Sequence, residues 1–163
     1  MSTVNVSLES NEFQVKNPVE VKQVLEALDY DVALIRCKDK VSLKFYGNDF
    51  FNTGDEVVLS LEPKGDTNFV GVLFETEDKD LDDVLMGTPY TEDDVVCQSL
   101  EEYLQDQLLD GIGISIIEIG YTSNCFGNSD LTGSLTVITK NTTKYAGLQH
   151  QALTIAKELG VKI

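Results

Sequence analysis

The amino-acid sequence predicts an α+β fold, with a mainly antiparallel sheet of about six to seven strands and three helices. Pairs of β-rich runs joined by short polar turns indicate antiparallel hairpins. Amphipathic helical patterns stand between groups of strands instead of alternating with single strands, as they would in a parallel sheet. The chain has 163 residues and no evident linker. We therefore expect residues 1–163 to form a single domain, with any subdivision falling within the stretch 76–90.

A strand and a helix open the predicted fold. Apolar and polar residues alternate over residues 4–8, which is the period of a half-buried strand, and the alternation can be followed to Val15. Residues 17–20 (Asn-Pro-Val-Glu) are typical of a helix start, with Asn as the N-cap, Pro at the first helical position and Glu completing a capping box. The residues spaced along one face of this helix are Val21, Val24, Leu25 and Leu28.

Two hairpins are expected after this helix. The first joins residues 32–37 to residues 41–46 through a short polar turn. The second joins residues 56–61 to residues 67–74, and the residues between them, Pro63-Lys-Gly-Asp66, favour a tight turn. The residues of the first hairpin that are expected to face the core are Val41, Leu43 and Phe45.

The stretch 75–110 concentrates the negative charge of the chain. It holds thirteen of the 28 acidic residues and one base, whereas residues 111–163 hold three acidic and four basic residues. Residues 75–88 contain few apolar side chains. We expect this first half of the acidic stretch to be a strand end and a long loop, with one helical turn near 80–86.

A long helix is expected in the second half of the acidic stretch, between Thr91 as its N-cap and Gly111 as a left-handed C-cap. At 100° per residue, its apolar and acidic residues fall on opposite arcs. The apolar arc consists of Val96, Leu100, Tyr103, Leu104 and Leu108. The polar arc consists of Asp94, Gln98, Glu101, Glu102, Asp106 and Asp110.

Two strands and a helix complete the predicted fold. Residues 112–121 are rich in isoleucine and apolar on both faces, which is typical of a central strand, and residues 131–139 form the next strand. The last helix ends at Gly160, and all the helices are expected to gather on one face of the sheet. The apolar residues of this last helix are Leu148, Ala152, Ile155, Ala156 and Leu159.

The formal net charge of −16 at neutral pH limits the classes of partner. Basic groups bind a phosphate backbone by displacing its counterions, so this chain is not expected to bind nucleic acid directly. Anionic membrane surfaces are disfavoured by the same sign of charge. A basic protein surface is the kind of partner that such a chain attracts.

Cysteine usage and the amino terminus lead us to expect a cytoplasmic protein. Cys37, Cys97 and Cys125 are an odd number at wide spacing, so neither a disulfide framework nor a zinc site is expected. Residues 1–8 lack the basic segment and the apolar run of a secretion signal. No later apolar run has the length of a membrane span.

No motif in the sequence indicates catalysis or a cofactor. The single histidine, His150, and the loop cysteine Cys125 would have to meet in space to act as a nucleophilic pair, and no supporting motif accompanies them. Residues 78–82 imitate the first ligand positions of a calcium loop, but Asp83 stands at the sixth position and Pro89 at the twelfth. We therefore expect no enzyme activity, no cofactor and no metal site.

The acidic stretch is the basis of our functional hypothesis, which is a non-enzymatic protein that captures a basic, nucleic-acid-handling partner. Carboxylates one helical turn apart, about 6 Å, can meet the Lys and Arg side chains of a groove that binds nucleic acid. In charge, though in no motif, the chain resembles the small acidic inhibitors and DNA mimics that viruses use against host defence, and the immunity proteins that neutralise nucleases. The expected partner-binding residues are Asp78, Asp80, Asp82, Asp83, Glu92, Asp93, Asp94, Glu101, Glu102, Asp106 and Asp110.

An alternative hypothesis is a structural or assembly protein that self-associates into a homo-oligomer. Its contacts would be exposed sheet edges or the loop aromatics Phe50, Phe51 and Phe126. A simpler interpretation of Phe50 and Phe51 is a hydrophobic plug over the end of the core. The acidic run also has a simpler interpretation, which is the solvated side of a helix and of the loop before it.

Overall fold

The computed structural model describes residues 3–60, 72–74, 81–87, 90–123 and 129–162. Within these ranges the chain forms nine β-strands, four α-helices and a 3₁₀ turn at Glu92–Asp94. The strands are β1 (Thr3–Ser10), β2 (Asp31–Cys37), β3 (Lys40–Gly47), β4 (Glu56–Ser60), β5 (Val72–Phe74), β6 (Val95–Ser99), β7 (Gly113–Ser123), β8 (Ser129–Thr139) and β9 (Thr143–Gly147). The helices are α1 (Pro18–Ala27), α2 (Leu81–Leu85), α3 (Leu100–Gln107) and α4 (Leu148–Glu158).

Two antiparallel sheets organise these strands. The larger sheet has six strands in the order β2-β3-β1-β7-β8-β9, and the smaller has the order β5-β4-β6. β7 lies in the middle of the larger sheet, where Ile116 pairs with Ser10 of β1 on one side and with Thr136 of β8 on the other. Antiparallel sheets with separate helices confirm the predicted α+β class, and the position of β7 confirms that residues 112–121 form a central strand.

One face of the larger sheet packs against α1 and α3 and forms the hydrophobic core. Asn17 is the N-cap of α1 and Pro18 its first residue, as predicted, and the Asn17 side chain accepts a hydrogen bond from the backbone N–H of Glu20 at 3.2 Å. The predicted capping box is wrong, because the Glu20 side chain does not accept the backbone N–H of Asn17. The backbone N–H of Asn17 donates to the side chain of Gln107 in α3, and Gln107 in turn donates to the Glu20 carboxylate. Gln107 therefore links the start of α1 to the end of α3.

An aromatic cluster closes one end of this core. The Phe45 ring is fully buried and contacts Phe13, Tyr30 and Phe51 at centroid distances of 6.0, 5.5 and 5.8 Å. Phe51 is half-buried, which confirms its interpretation as a plug over the core, whereas Phe50 is 51% exposed. Phe126 lies outside the described residues.

The predicted helix between Thr91 and Gly111 is wrong in its first half and at its end, because α3 ends at Gln107 with Leu108 as its C-cap and Gly111 lies in the following turn. A 3₁₀ turn and strand β6 occupy the first half, and α3 begins only at Leu100. β6 pairs with β4 over five residues, and the β-branched Val95 and Val96 suit this pairing. Ser99 and Glu102 then form a capping box that starts α3. Pairing with a strand that is distant in sequence therefore outweighs the helical spacing of the apolar residues.

α4 lies on the face of the larger sheet opposite to α1 and α3, so the expectation that all helices share one face is wrong. Leu148, at the start of α4, lies directly over Gly133 in β8. Gly133 pairs with Ile119, which is exposed, whereas Ile114 and Ile116 of the same strand β7 are fully buried in the core. Because side chains alternate along a strand, Leu148 and Ile119 lie on the face away from the core.

Candidate anionic surface

The acidic surface is built from α2, the 3₁₀ turn, α3 and the turn that follows α3. The described residues between 81 and 110 carry nine acidic side chains and no lysine or arginine. Asp78 and Asp80 of the predicted set lie outside the described residues. The nine described members are Asp82, Asp83, Glu92, Asp93, Asp94, Glu101, Glu102, Asp106 and Asp110.

Three of these carboxylates line an open depression between α2 and the 3₁₀ turn, which we call the carboxylate depression. Asp82, Glu92 and Asp93 are exposed and line an open depression of about 480 Å³. Buried Leu85 and Tyr90 fix the two segments to the rest of the fold. Acidic side chains in the first turn of a helix are stabilised by the helix dipole, so these segments favour acids at these positions.

Asp94 has a local structural role in the 3₁₀ turn. Its carboxylate accepts hydrogen bonds from the Thr91 backbone N–H at 2.9 Å and from the Thr91 hydroxyl at 3.0 Å. This reciprocal cap confirms the predicted pairing of Thr91 with Asp94, although it begins a 3₁₀ turn instead of a long helix. Asp94 is half-buried and therefore less available to a partner than Glu92 and Asp93.

A second acidic group, the helix pair, consists of Glu102 and Asp106 on α3. Both side chains are exposed and stand one helical turn apart, which is the spacing expected from the sequence. The Glu102 carboxylate accepts the backbone N–H of Ser99, and Asp106 accepts the side-chain amide of Gln98 at 2.9 Å. Glu101 is half-buried on the same helix.

The predicted continuous row of carboxylates is interrupted because β6 separates the two groups. Five extended residues span about 17 Å, far more than one helical turn, so Asp94 and Gln98 do not continue the line of Glu102 and Asp106. Asp110 is removed from the row for another reason. Lys140 donates to its carboxylate at 2.6 Å and holds its pKa below the usual range. The structure therefore presents two separate acidic groups.

The residues considered for catalysis and metal binding are not assembled into a site. His150 is exposed on α4, and Cys125 lies outside the described residues. Among the described residues, no group of three or more His, Cys, Asp or Glu side chains could hold a metal ion.

Glu118 is a buried carboxylate that no motif in the sequence indicates. It is 7% exposed on the core side of β7, and it accepts hydrogen bonds from the Phe51 backbone N–H at 3.2 Å and the Ser134 hydroxyl at 3.5 Å. Burial raises its pKa. The sequence does contain a sign of this burial. Glu118 lies two residues after Ile116 in a strand whose side chains alternate, so both side chains point to the core face. Glu118 anchors the loop that carries Phe50 and Phe51.

Replacing Glu118 by Gln should stabilise the protein increasingly as pH rises. A folded-state pKa above the unfolded value means that Glu118 favours folding below its unfolded pKa of about 4.3, and that this contribution is lost as pH rises through the folded pKa. Glutamine can still accept from Phe51 and carries no charge to desolvate. Urea unfolding at several pH values measures the difference between E118Q and the wild type. A stability difference between E118Q and the wild type that does not change with pH would contradict the raised pKa of Glu118 in the folded protein.

No helix in the described ranges has the length and the apolar character that are needed to cross a membrane. No protein-family model matches the chain, and neither a curated protein nor a solved structure shows significant similarity to it.

Proposed function

We propose that this protein is a non-enzymatic binding protein that captures a basic, nucleic-acid-handling protein through its acidic side, in the manner of DNA-mimic inhibitors and immunity proteins. The observation that carries the proposal is the run of nine acidic side chains without a lysine or arginine among the described residues from 81 to 110. In the rest of the chain acids and bases are more evenly balanced. A basic groove would therefore be attracted to the carboxylate depression and to the helix pair.

The carboxylate depression and the helix pair would contribute to such capture in different ways. Asp82, Glu92 and Asp93 are exposed and can turn toward cationic side chains. Glu102 and Asp106 are already hydrogen-bonded within the fold, so their geometry is fixed before a partner arrives. Long-range attraction by the whole surface would speed association, and the fixed pair would favour partners with matching cation spacing. Both contributions weaken as salt screens the charges.

Reversing the charge of the carboxylate depression should slow capture. Asp82, Glu92 and Asp93 would be replaced together by Lys, and the probe would be a basic DNA-binding protein carrying a fluorescent duplex. At low salt the wild type should displace the duplex, and the variant should associate at least about tenfold more slowly, because electrostatic steering contributes factors of about 10 to 1,000. Stopped-flow measurement of duplex release gives both rates.

A matched variant separates a local effect from a change in net charge. Glu12, Asp31 and Asp39 are also exposed, lie outside the acidic surface, and change the net charge by the same amount when they are replaced by Lys. This control should retain most of the wild-type rate. If both variants associated equally slowly, only the net charge would matter, and the carboxylate depression would be rejected as the binding site. Failure of the wild type to displace duplex from a panel of basic nucleases and DNA-binding proteins would reject the function.

Self-association is the second candidate function, and one observation favours it. Large apolar side chains remain exposed on the face of the larger sheet away from the core and on α4. The loop aromatics contribute less than expected, because Phe51 is packed against Tyr30 and Phe45. Light scattering tests this candidate directly.

A further inference from the structure

The apolar stripe of α4 is exposed instead of packed into the core. Leu148, Ala152, Ile155 and Leu159 fall within one narrow arc of the helix at 100° per residue. Leu148, Ile155 and Leu159 are 41%, 53% and 72% exposed, and Ala156 is the buried residue of the helix. A surface helix normally buries its apolar stripe. In this stripe Leu148 contacts the sheet at Gly133, whereas Ile155 and Leu159 remain more than half exposed.

The stripe continues onto the sheet. Leu148 covers Gly133, and the strand β7 beside it exposes Ile117 and Ile119 at 48% and 43%. A groove of about 570 Å³ runs between α4 and strands β8 and β9, and Leu135, Val137 and Ala146 form its apolar floor. We call the α4 stripe, the groove and these two isoleucines the outer face.

The size and the charge of the outer face both favour a second copy of the chain as its occupant. Each side of a stable interface covers about 800 Å², and the exposed parts of five large apolar side chains on the outer face supply a substantial share of such an area. Contiguous exposed apolar patches of this extent mark interaction sites. Residues 111–163 carry three acids and four bases, whereas the rest of the chain is strongly acidic. Two copies can therefore approach each other here with less repulsion than elsewhere.

We infer that the protein forms a two-fold symmetric homodimer in which the outer faces, with their α4 helices, pack against each other. A two-fold axis brings the same patch of each copy together, so one apolar face suffices to close the assembly without leaving an open end. The carboxylate depression belongs to α2 and the 3₁₀ turn and is not part of the outer face. The dimer is thus independent of the proposed capture function.

Sedimentation velocity and light scattering from about 1 to 100 µM test the dimer. The wild type should sediment as a dimer at the upper end of this range. The variant I155E/L159E should have a dissociation constant at least about a hundredfold higher, because the two most exposed large apolar side chains of the α4 stripe become charged. High salt should strengthen the dimer by screening repulsion between acidic copies, whereas it should weaken capture of a basic partner.

The control variant is V19E/M86E. Val19 and Met86 are 56% and 77% exposed, which matches Ile155 and Leu159 closely, and both lie outside the outer face. This control adds the same charge and should remain dimeric. A wild type that stays monomeric at about 100 µM would overturn the inference and leave the outer face to a different occupant. A control that dissociates as much as I155E/L159E would also overturn it, as would an α4 variant that stays dimeric. Circular dichroism verifies that each variant is folded.

Discussion

Replacing Phe45 by Ala should lower the free energy of unfolding by about 3–5 kcal/mol, a large part of the stability of a typical domain. The Phe45 side chain has no exposed surface and lies between Phe13, Tyr30 and Phe51. Its removal leaves a cavity and deletes three aromatic contacts at once, and the rigid sheet on one side limits collapse of the surrounding side chains. Urea or guanidinium unfolding measures the change.

Tyr46 is the matched control for this variant. It is the next residue of β3, points to the other face and is 40% exposed. Tyr46→Ala removes a side chain of similar size that is partly exposed and contacts Lys44 over its ring, and should cost clearly less than Phe45→Ala, about 1 kcal/mol. Equal losses for the two variants would contradict the placement of Phe45 at the centre of the core.

The second large effect is expected from Gly133→Ala. An added Cβ at Gly133 would lie 2.0 Å from Cδ1 and 2.6 Å from Cγ of Leu148, which is too close for non-bonded carbon atoms. The Leu148 side chain must therefore rotate or shift away from the added methyl group. Such overpacking costs about 1–3 kcal/mol. Chemical unfolding measures this cost, and hydrogen exchange of the α4 amides shows whether the helix loosens.

A double-mutant cycle shows whether the cost arises from this contact. Leu148→Ala removes the two colliding atoms and leaves its Cβ at an ordinary 3.4 Å from the added methyl group. Gly133→Ala should therefore be much less destabilising in the Leu148→Ala background, with a coupling of about 0.5–3 kcal/mol. Additive losses in the cycle would show that α4 does not start over Gly133. Because Leu148 also belongs to the outer face, Gly133→Ala should weaken the proposed dimer.

Much of the fold follows from local patterns in the sequence. The Asn17 cap and the apolar spacing after it predicted α1, since a cap and a helix face are both short-range features. Alternation and a short turn predicted the pairing of β2 with β3, and the isoleucines predicted the central place of β7. The α+β class and the concentration of acidic residues in the stretch 75–110 also follow from the sequence alone.

The acidic site was predictable in composition but not in geometry. Residues 95–99 satisfy a helical pattern, and their strand conformation depends on hydrogen bonds to β4, which is about forty residues earlier in the chain. The pairing of Asp110 with Lys140 depends on a similar distant contact. The spacing of residues along the sequence does not indicate which distant segments will lie next to each other in the fold.

Sequence alone therefore determined the charge of this protein, its local helix starts and its alternating strands, because these depend on residues within one or two turns of each other. Tertiary structure decided which carboxylates stand together, which are used by caps and ion pairs, and on which side of the sheet α4 lies. Those outcomes depend on contacts between segments far apart in sequence, where the free energy of burying apolar surface and pairing backbone groups exceeds local preference.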